Sequence, residues 1–476
     1  MTERTRRSLL RTLGLVAAGG LAGCGQAADS TATPTTTPTA TGTPTATETP
    51  EETPTATPDV DIDERARTLV RRLDAGEYES AAAMFAPQSG VGASTLEGAW
   101  NGARQQFGSV VAIEGTRQTT VSGFEAVVVV VQFTEALRGV RVVFDGQGRV
   151  AGLQFVEATP DEPWSPPAYV DRDAIATTSV TVDSACGLPG EVTVPASATG
   201  TDGSGVPSFV LLGGSGPTDL DGSLGPNRPY RDLTWGVAST DGASSLRYTK
   251  RTAVCDVSST GLDIDDEYTD DALAAIRTLR NADGADPQRT AVVGHSLGAV
   301  LAPRVAARAE NVPGVVLLAP SARPLHELYV QQTRYLAELD GTVTDAEQAR
   351  IDEVTAAAQR IADLDIPEGE TVLGGGRAYW QSLQEYDAIA TARQLDVPVL
   401  VLFGERDYQV TQADVQGWRD GLLGVENATV ETYPSLNHLF VPGEGQSSPE
   451  EYTRPGHVSE DVVRDVGEWL SARWQA

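Results

Sequence analysis

Two valines run into Gly294-His295-Ser296-Leu297-Gly298-Ala299, and a helical apolar pattern follows at once. Gly-x-Ser-x-Gly between a strand and a helix restricts the fold sharply, because the backbone must reverse in a tight, crowded turn. The glycines remove side chains that would strike the strand or the helix. The turn then lifts Ser296 to its tip, with the helix N-terminus beneath it. Such a turn needs a buried strand before it and a crossover helix after it, and the chain from residue 171 onward supplies both. Stretches 180–182 and 192–194 read as a hairpin around Gly187 and Gly190. Further strands are expected at 209–212, 245–248, 290–293, 315–318, 399–403 and 429–433. Helical patterns over 266–280, 299–309, 411–423 and 459–473 separate most of them. This alternation predicts a doubly wound, mostly parallel sheet over 171–476. Between 321 and 395 it lapses into helices, which predicts a cap inserted over the carboxyl edge of the sheet.

A serine hydroxyl is a weak nucleophile until a base takes its proton. The chain has 4 histidines. His295 lies inside the turn and His326 opens the cap, which leaves His438 and His457 between the last strand and the last helix. His438, in Ser435-Leu436-Asn437-His438-Leu439-Phe440, follows the strand closely; His457 comes only after a polar Pro/Gly-rich loop. His438 is the preferred base. The base needs a buried carboxylate to fix its tautomer, and Asp407 stands directly after the 399–403 strand, with Glu405 the weaker candidate. Two backbone N–H groups must await the oxyanion. Leu297, next to the serine, offers one, and Ser215 in Leu212-Gly213-Gly214-Ser215-Gly216-Pro217 is the choice for the other. The 3 cysteines and 4 histidines show no ligand spacing, and no Gly-x-Gly-x-x-Gly follows a strand. Neither a metal nor another cofactor is expected. In the cap, Leu325, Leu328, Tyr329, Tyr335, Leu336 and Leu339 fall at helical spacing and read as a packing face, and Tyr379-Trp380 as lining for an acyl pocket.

Joined to Gly225-Pro226-Asn227-Arg228-Pro229-Tyr230-Arg231-Asp232-Leu233 and Leu246-Arg247-Tyr248-Thr249-Lys250-Arg251, these segments resemble the α/β-hydrolase esterases related to dienelactone hydrolases and bacterial carboxylesterases. The resemblance covers nearly all of 171–476, and the chain order Ser, Asp, His is that of the α/β hydrolases. The chain departs from the family in Gly213, where His is usual, and in Thr249, where Asp is usual. The resemblance implies an α/β-hydrolase fold with a helical cap. It further implies a serine carboxylester hydrolase, acting on a small-molecule ester through an acyl-enzyme on Ser296, His438 and Asp407. A peptidase or an acyltransferase uses the same residues. A cell-surface binding protein that keeps the scaffold without its chemistry is the rival from another class.

At 476 residues the chain exceeds one ordinary domain, and 40% hydrophobic residues suffice for sizeable cores. A first unit is expected over 59–158. Ala66, Leu69, Val70, Leu73, Ala81, Ala82 and Phe85 lie at helical spacing, 100–107 suggests another helix, and 127–133, 140–144 and 150–156 read as strands. Helices followed by an antiparallel sheet resemble the small ketosteroid-isomerase-like α+β fold, in a form often found ahead of α/β hydrolases. No histidine lies in this unit, so packing or binding of a protein partner is its expected role. Ahead of it, Thr5-Arg6-Arg7-Ser8-Leu9-Leu10 resembles a twin-arginine export signal. Leu21-Ala22-Gly23-Cys24 resembles a lipobox, so residues 1–23 read as a signal and Cys24 as the lipidated first residue. The Thr/Pro-rich 24–58 reads as a stalk. A membrane contact through that anchor alone, on the extracellular face of the cell membrane, is expected. Outside the cell Cys186 and Cys255 either pair or stay as two separate buried thiols. The charge is lopsided, 35 Lys+Arg against 66 Asp+Glu with a net of −31, and Lys250 is the only lysine. So acidic a surface repels phosphate backbones, which excludes nucleic acid as a partner, and its composition resembles that of haloarchaeal proteins.

Overall fold

The computed structural model describes residues 61–474, apart from 87–88, 90, 122–123, 135, 146, 158–163, 185, 200–205 and 256. The signal, Cys24 and the stalk lie outside the described residues.

The first unit begins with helix Ile62–Asp74, capped by Asp61, whose carboxylate accepts from the Glu64 N–H. Its apolar spacing buries Ala66, Leu69, Val70 and Leu73. Helices Tyr78–Ala82 and Ala93–Phe107 complete the layer. They cover a four-stranded antiparallel sheet in the order β1 (Val110–Val121), β2 (Phe124–Phe133), β3 (Leu137–Phe144), β4 (Val150–Glu157). Alternate residues Val127, Val129, Val131 and Phe133 of β2 meet Trp100 and the first helix in one core. β1 was not expected from the sequence. Its Thr116-Arg117-Gln118-Thr119 carries no apolar alternation, and the strand is held by its ladder to β2.

The second unit carries an eight-stranded sheet in the order β12-β11-β10-β9-β7-β8-β6-β5. β5 (Ile175–Val182) and β6 (Leu188–Pro195) form the expected antiparallel hairpin, and β6 pairs antiparallel onto β8 (Ser244–Tyr248). All the other pairings are parallel: β7 (Ser208–Leu212), β9 (Ala291–His295), β10 (Val315–Leu318), β11 (Val399–Gly404) and β12 (Ala428–Tyr433). Because side chains alternate, each apolar run feeds two cores. Val292, Val315, Leu317, Val399 and Val401 face helices Asp270–Arg280, Leu297–Arg308 and Gln412–Gly421. Val293, Val316, Leu318, Leu400 and Leu402 face helices Pro229–Thr240 and Glu460–Trp474. Helix Pro229–Thr240 is another element not expected from the sequence. It opens with Pro229 in its first turn and buries Tyr230, Leu233, Trp235, Val237 and Ala238.

Two expected boundaries move. A start at residue 171 is too late, because Trp164 stacks edge-on against Trp235 and donates to Asp232, and the Tyr169 hydroxyl donates to the Val458 carbonyl. A cap ending at 395 runs too far. Helix Ala388–Arg393 buries Ala388 and Ala392 in the same core as Trp418 and Leu422, so it belongs to the layer on the sheet. The remaining cap helices are Leu325–Glu338, Asp345–Ala362 and Arg377–Gln384. The first of them is bound to the loop after β11. Tyr335 stacks on Tyr408 with ring centroids 5.0 Å apart, and Gln331 and Gln332 donate to the Tyr408 and Gln409 carbonyls.

Candidate active site

Parallel pairing places the carboxyl ends of β7, β9, β11 and β12 along one edge of the sheet. There the backbone of Ser296 adopts φ 56° and ψ −121°, a left-handed conformation costly for a residue with a side chain. The surroundings enforce it. A Cβ on Gly294 would strike the Gly298 carbonyl, and one on Gly298 would come within 2.5 Å of the Leu212 and Gly213 carbonyls. Both glycines of the motif are therefore steric requirements, and Ser296 stands half-buried between its strand and helix Leu297–Arg308.

The acid and base loops meet in the same way. A Cβ on Gly404 would strike the Leu436 carbonyl, so a bare backbone lets the loop after β11 approach the loop after β12. Asp407 Oδ2 lies 2.6 Å from His438 Nδ1, with both residues buried. The other oxygen, Oδ1, accepts from the Gln409 and Val410 N–H groups at 2.7 and 3.0 Å. A carboxylate fixed at both oxygens holds Nδ1 protonated and leaves Nε2 as the basic nitrogen. Among the described residues neither that nitrogen nor Ser296 Oγ takes a hydrogen bond. Glu405 is exposed and accepts from the Thr432 hydroxyl instead. His457 lies elsewhere, with Nδ1 3.1 Å from Asp232 Oδ2 and its ring edge-on to Trp164.

His295 and Tyr230 join these loops, in roles that the sequence reading did not assign to them. The Gly214 N–H donates to Tyr230 Oη at 2.8 Å, and Tyr230 Oη lies 3.1 Å from His295 Nδ1. His295 Nε2 lies 2.9 Å from the His438 carbonyl, which can only accept. Nε2 therefore carries the proton, and Nδ1 accepts from Tyr230. Burial, with the neighbouring His438 adding to it, pushes the His295 pKa down to about 3, so the ring is neutral. A Cβ on Gly214 would lie 3.3 Å from the Ser296 Cβ, close enough to press on it. Gly213, the departure from the family pattern, has its side-chain space filled by Thr218 and Tyr230.

Ser215, Ser296 and Leu297 line one pocket with Ser321, Leu325, Leu328, Tyr329, Gln332, Gln409 and Val410. The cap stripe thus supplies a wall as well as a packing face. Trp380 does not line it. That ring is buried in the cap's own core and donates to the Val372 and Gly375 carbonyls. A disulfide between Cys186 and Cys255 ties the β5–β6 turn to the segment after β8. No cluster of metal-ligating side chains occurs among the described residues, and no helix among them is long and apolar enough to cross a membrane.

The family models that match the chain fall one on each of the two units. Residues 233–454 match the model of the alpha/beta hydrolase family, and residues 66–153 match a family of proteins of unknown function, DUF3887. Esterase EstD of Thermotoga maritima is 36% identical over 411 residues, covering 86% of this chain and 95% of its own length. Among solved structures, an esterase of Pyrococcus furiosus is 15% identical, with 66% of this chain and 99% of that chain covered and a TM-score of 0.41. Est1E of Butyrivibrio proteoclasticus is likewise 15% identical, with 63% and 99% covered and a TM-score of 0.39. With EstD matched across both units, the chain belongs to the esterase family of the α/β hydrolases.

Proposed function

We propose that this chain is a serine carboxylesterase whose nucleophile is Ser296. Ser296 Oγ attacks the carbonyl carbon of a small ester while His438 Nε2 takes the hydroxyl proton. Asp407 steadies the imidazolium, and the Leu297 and Ser215 N–H groups hold the tetrahedral oxyanion. Collapse expels the alcohol, which leaves with the proton returned by His438. Water activated by the same base then cleaves the acyl-serine to the free acid. The observation that carries this reading is the 2.6 Å Asp407–His438 hydrogen bond, at the edge where Ser296 stands on its turn. Leu325, Leu328 and Tyr329 give the pocket an apolar wall for a short acyl chain, and Gln332 and Gln409 give it amides. The activity named for EstD supports the same class.

Ser296→Ala is expected to abolish hydrolysis of short p-nitrophenyl acyl esters, leaving at most about 10³–10⁴ over the uncatalysed rate. An unchanged rate in the folded variant contradicts the reading. The proposal extends to place. The twin arginines and the Leu21–Cys24 lipobox direct export and lipidation, and the stalk holds the enzyme off the extracellular face of the membrane. Cys24→Ser should then move from the membrane to the soluble fraction; equal retention of both proteins rejects the lipid anchor.

A further inference from the structure

In a chain with 35 Lys+Arg, the single lysine is Lys250, and it is 2% exposed. Its ammonium has three N–H donors and meets three acceptors. These are Glu267 Oε1 at 2.8 Å, Tyr268 Oη at 2.6 Å and the Gly214 carbonyl at 3.1 Å. Tyr268 Oη, having accepted from Lys250, donates to the same Gly214 carbonyl at 2.8 Å. Two convergent donors thus grip one backbone oxygen, while the N–H of that residue is held by Tyr230. An arginine, with its planar fork, does not fit three acceptors gathered around one point.

The grip has a consequence one atom along the chain. In a trans peptide the carbonyl and the following N–H point in opposite directions, and the Gly214–Ser215 bond is trans. Fixing the Gly214 oxygen on the Lys250 side therefore turns the Ser215 N–H the other way. Ser215 there lines the pocket beside Ser296 and Leu297. A charged donor on the carbonyl also polarises the amide, which makes its N–H a stronger donor. We infer that Lys250 and Tyr268 are positioning residues that aim and polarise the Ser215 N–H for the oxyanion. The inference rests on the esterase reading above and deepens it. Neither side chain touches substrate.

The test compares Tyr268→Phe, Lys250→Met and the double variant Lys250→Met/Glu267→Gln, which leaves no buried unpaired charge. Each is measured for kcat and KM on a short p-nitrophenyl ester and for inhibition by an alkylboronic acid, whose tetrahedral serine adduct mimics the oxyanion. Removing an oxyanion donor outright costs about 10²–10³ in kcat. Losing its aim is expected to cost about 10–100-fold in the double variant, and less in Tyr268→Phe. KM should be nearly unchanged, and boronate inhibition should weaken in parallel. Should the double variant fold and recover parental kcat and boronate affinity, Lys250 serves only to neutralise Glu267 and the inference is overturned. Labelling of the parent by a fluorophosphonate separates the two levels. A parent that labels beside variants that keep kcat overturns the clamp alone, whereas a parent that does not label overturns the esterase reading and the clamp with it.

Discussion

Ser296 reaches its position because neighbours without side chains let three backbones crowd together, and its chemistry depends on which histidine stands opposite. His438 has the carboxylate partner and His457 has a structural one, with Asp232 and Trp164 around it. His438→Ala should therefore lower kcat by several orders of magnitude, and Asp407→Asn by about 10⁴ through the wrong tautomer. His457→Ala should cost no more than about tenfold, near 1.4 kcal/mol, and act mainly on stability. Steady-state kinetics on folded variants check the ranking, and its reversal would move the base. His295 makes a separate prediction. Its folded pKa of about 3 lies below the ordinary 6.5, so between those values the unfolded chain binds the extra proton. Stability from this group is then full above about pH 6.5 and falls with acidity by about 1 kcal/mol per pH unit. The urea midpoint of His295→Gln should depend less steeply on pH over that window than that of the parent. Parallel slopes would mean that His295 is not buried neutral.

At the scale of elements, the segment 164–170 is part of the second unit. Trp164 and Tyr169 fill space over helix Pro229–Thr240 and the 458 region, so a chain starting at 164 should melt higher than one starting at 171. Calorimetry on the two fragments decides it, and equal melting temperatures would make the contacts incidental. The same region shows where sequence patterns stop. The buried strands announced themselves through uninterrupted runs such as 315–318 and 399–403, because both faces of a parallel sheet are covered. The turn at Ser296 and the meeting of Asp407 with His438 could be anticipated, because a tight turn and the chain order of the resembled family leave fixed spacings. β1 was not, since Thr116-Arg117-Gln118-Thr119 takes its conformation from the partner strand and not from a pattern of its own. Helix Pro229–Thr240 hid among polar and aromatic residues. The link from Gly214 through Tyr230 and His295 to His438 passes through a loop, a helix, a strand end and a second loop, and no local spacing encodes such a path. Cys186 and Cys255, left open by composition, are brought together by the hairpin turn and the segment after β8.

For the whole molecule, two units share one chain, each with its own sheet and core, and every candidate catalytic group belongs to the second. The first unit carries no histidine, and one face of its sheet packs on its own helices. The proposed neutral ester substrate is consistent with the net charge of −31, which disfavours anionic partners. The proposed reaction depends on one covalent event at the edge of the larger sheet. Purified, folded protein treated with a fluorophosphonate should gain a single adduct, mapped by mass spectrometry of its peptides to Ser296, and Asp407→Asn should acquire it far more slowly. A folded parent that remains unmodified, or one modified at a different residue, would contradict the assignment of Ser296 as the nucleophile.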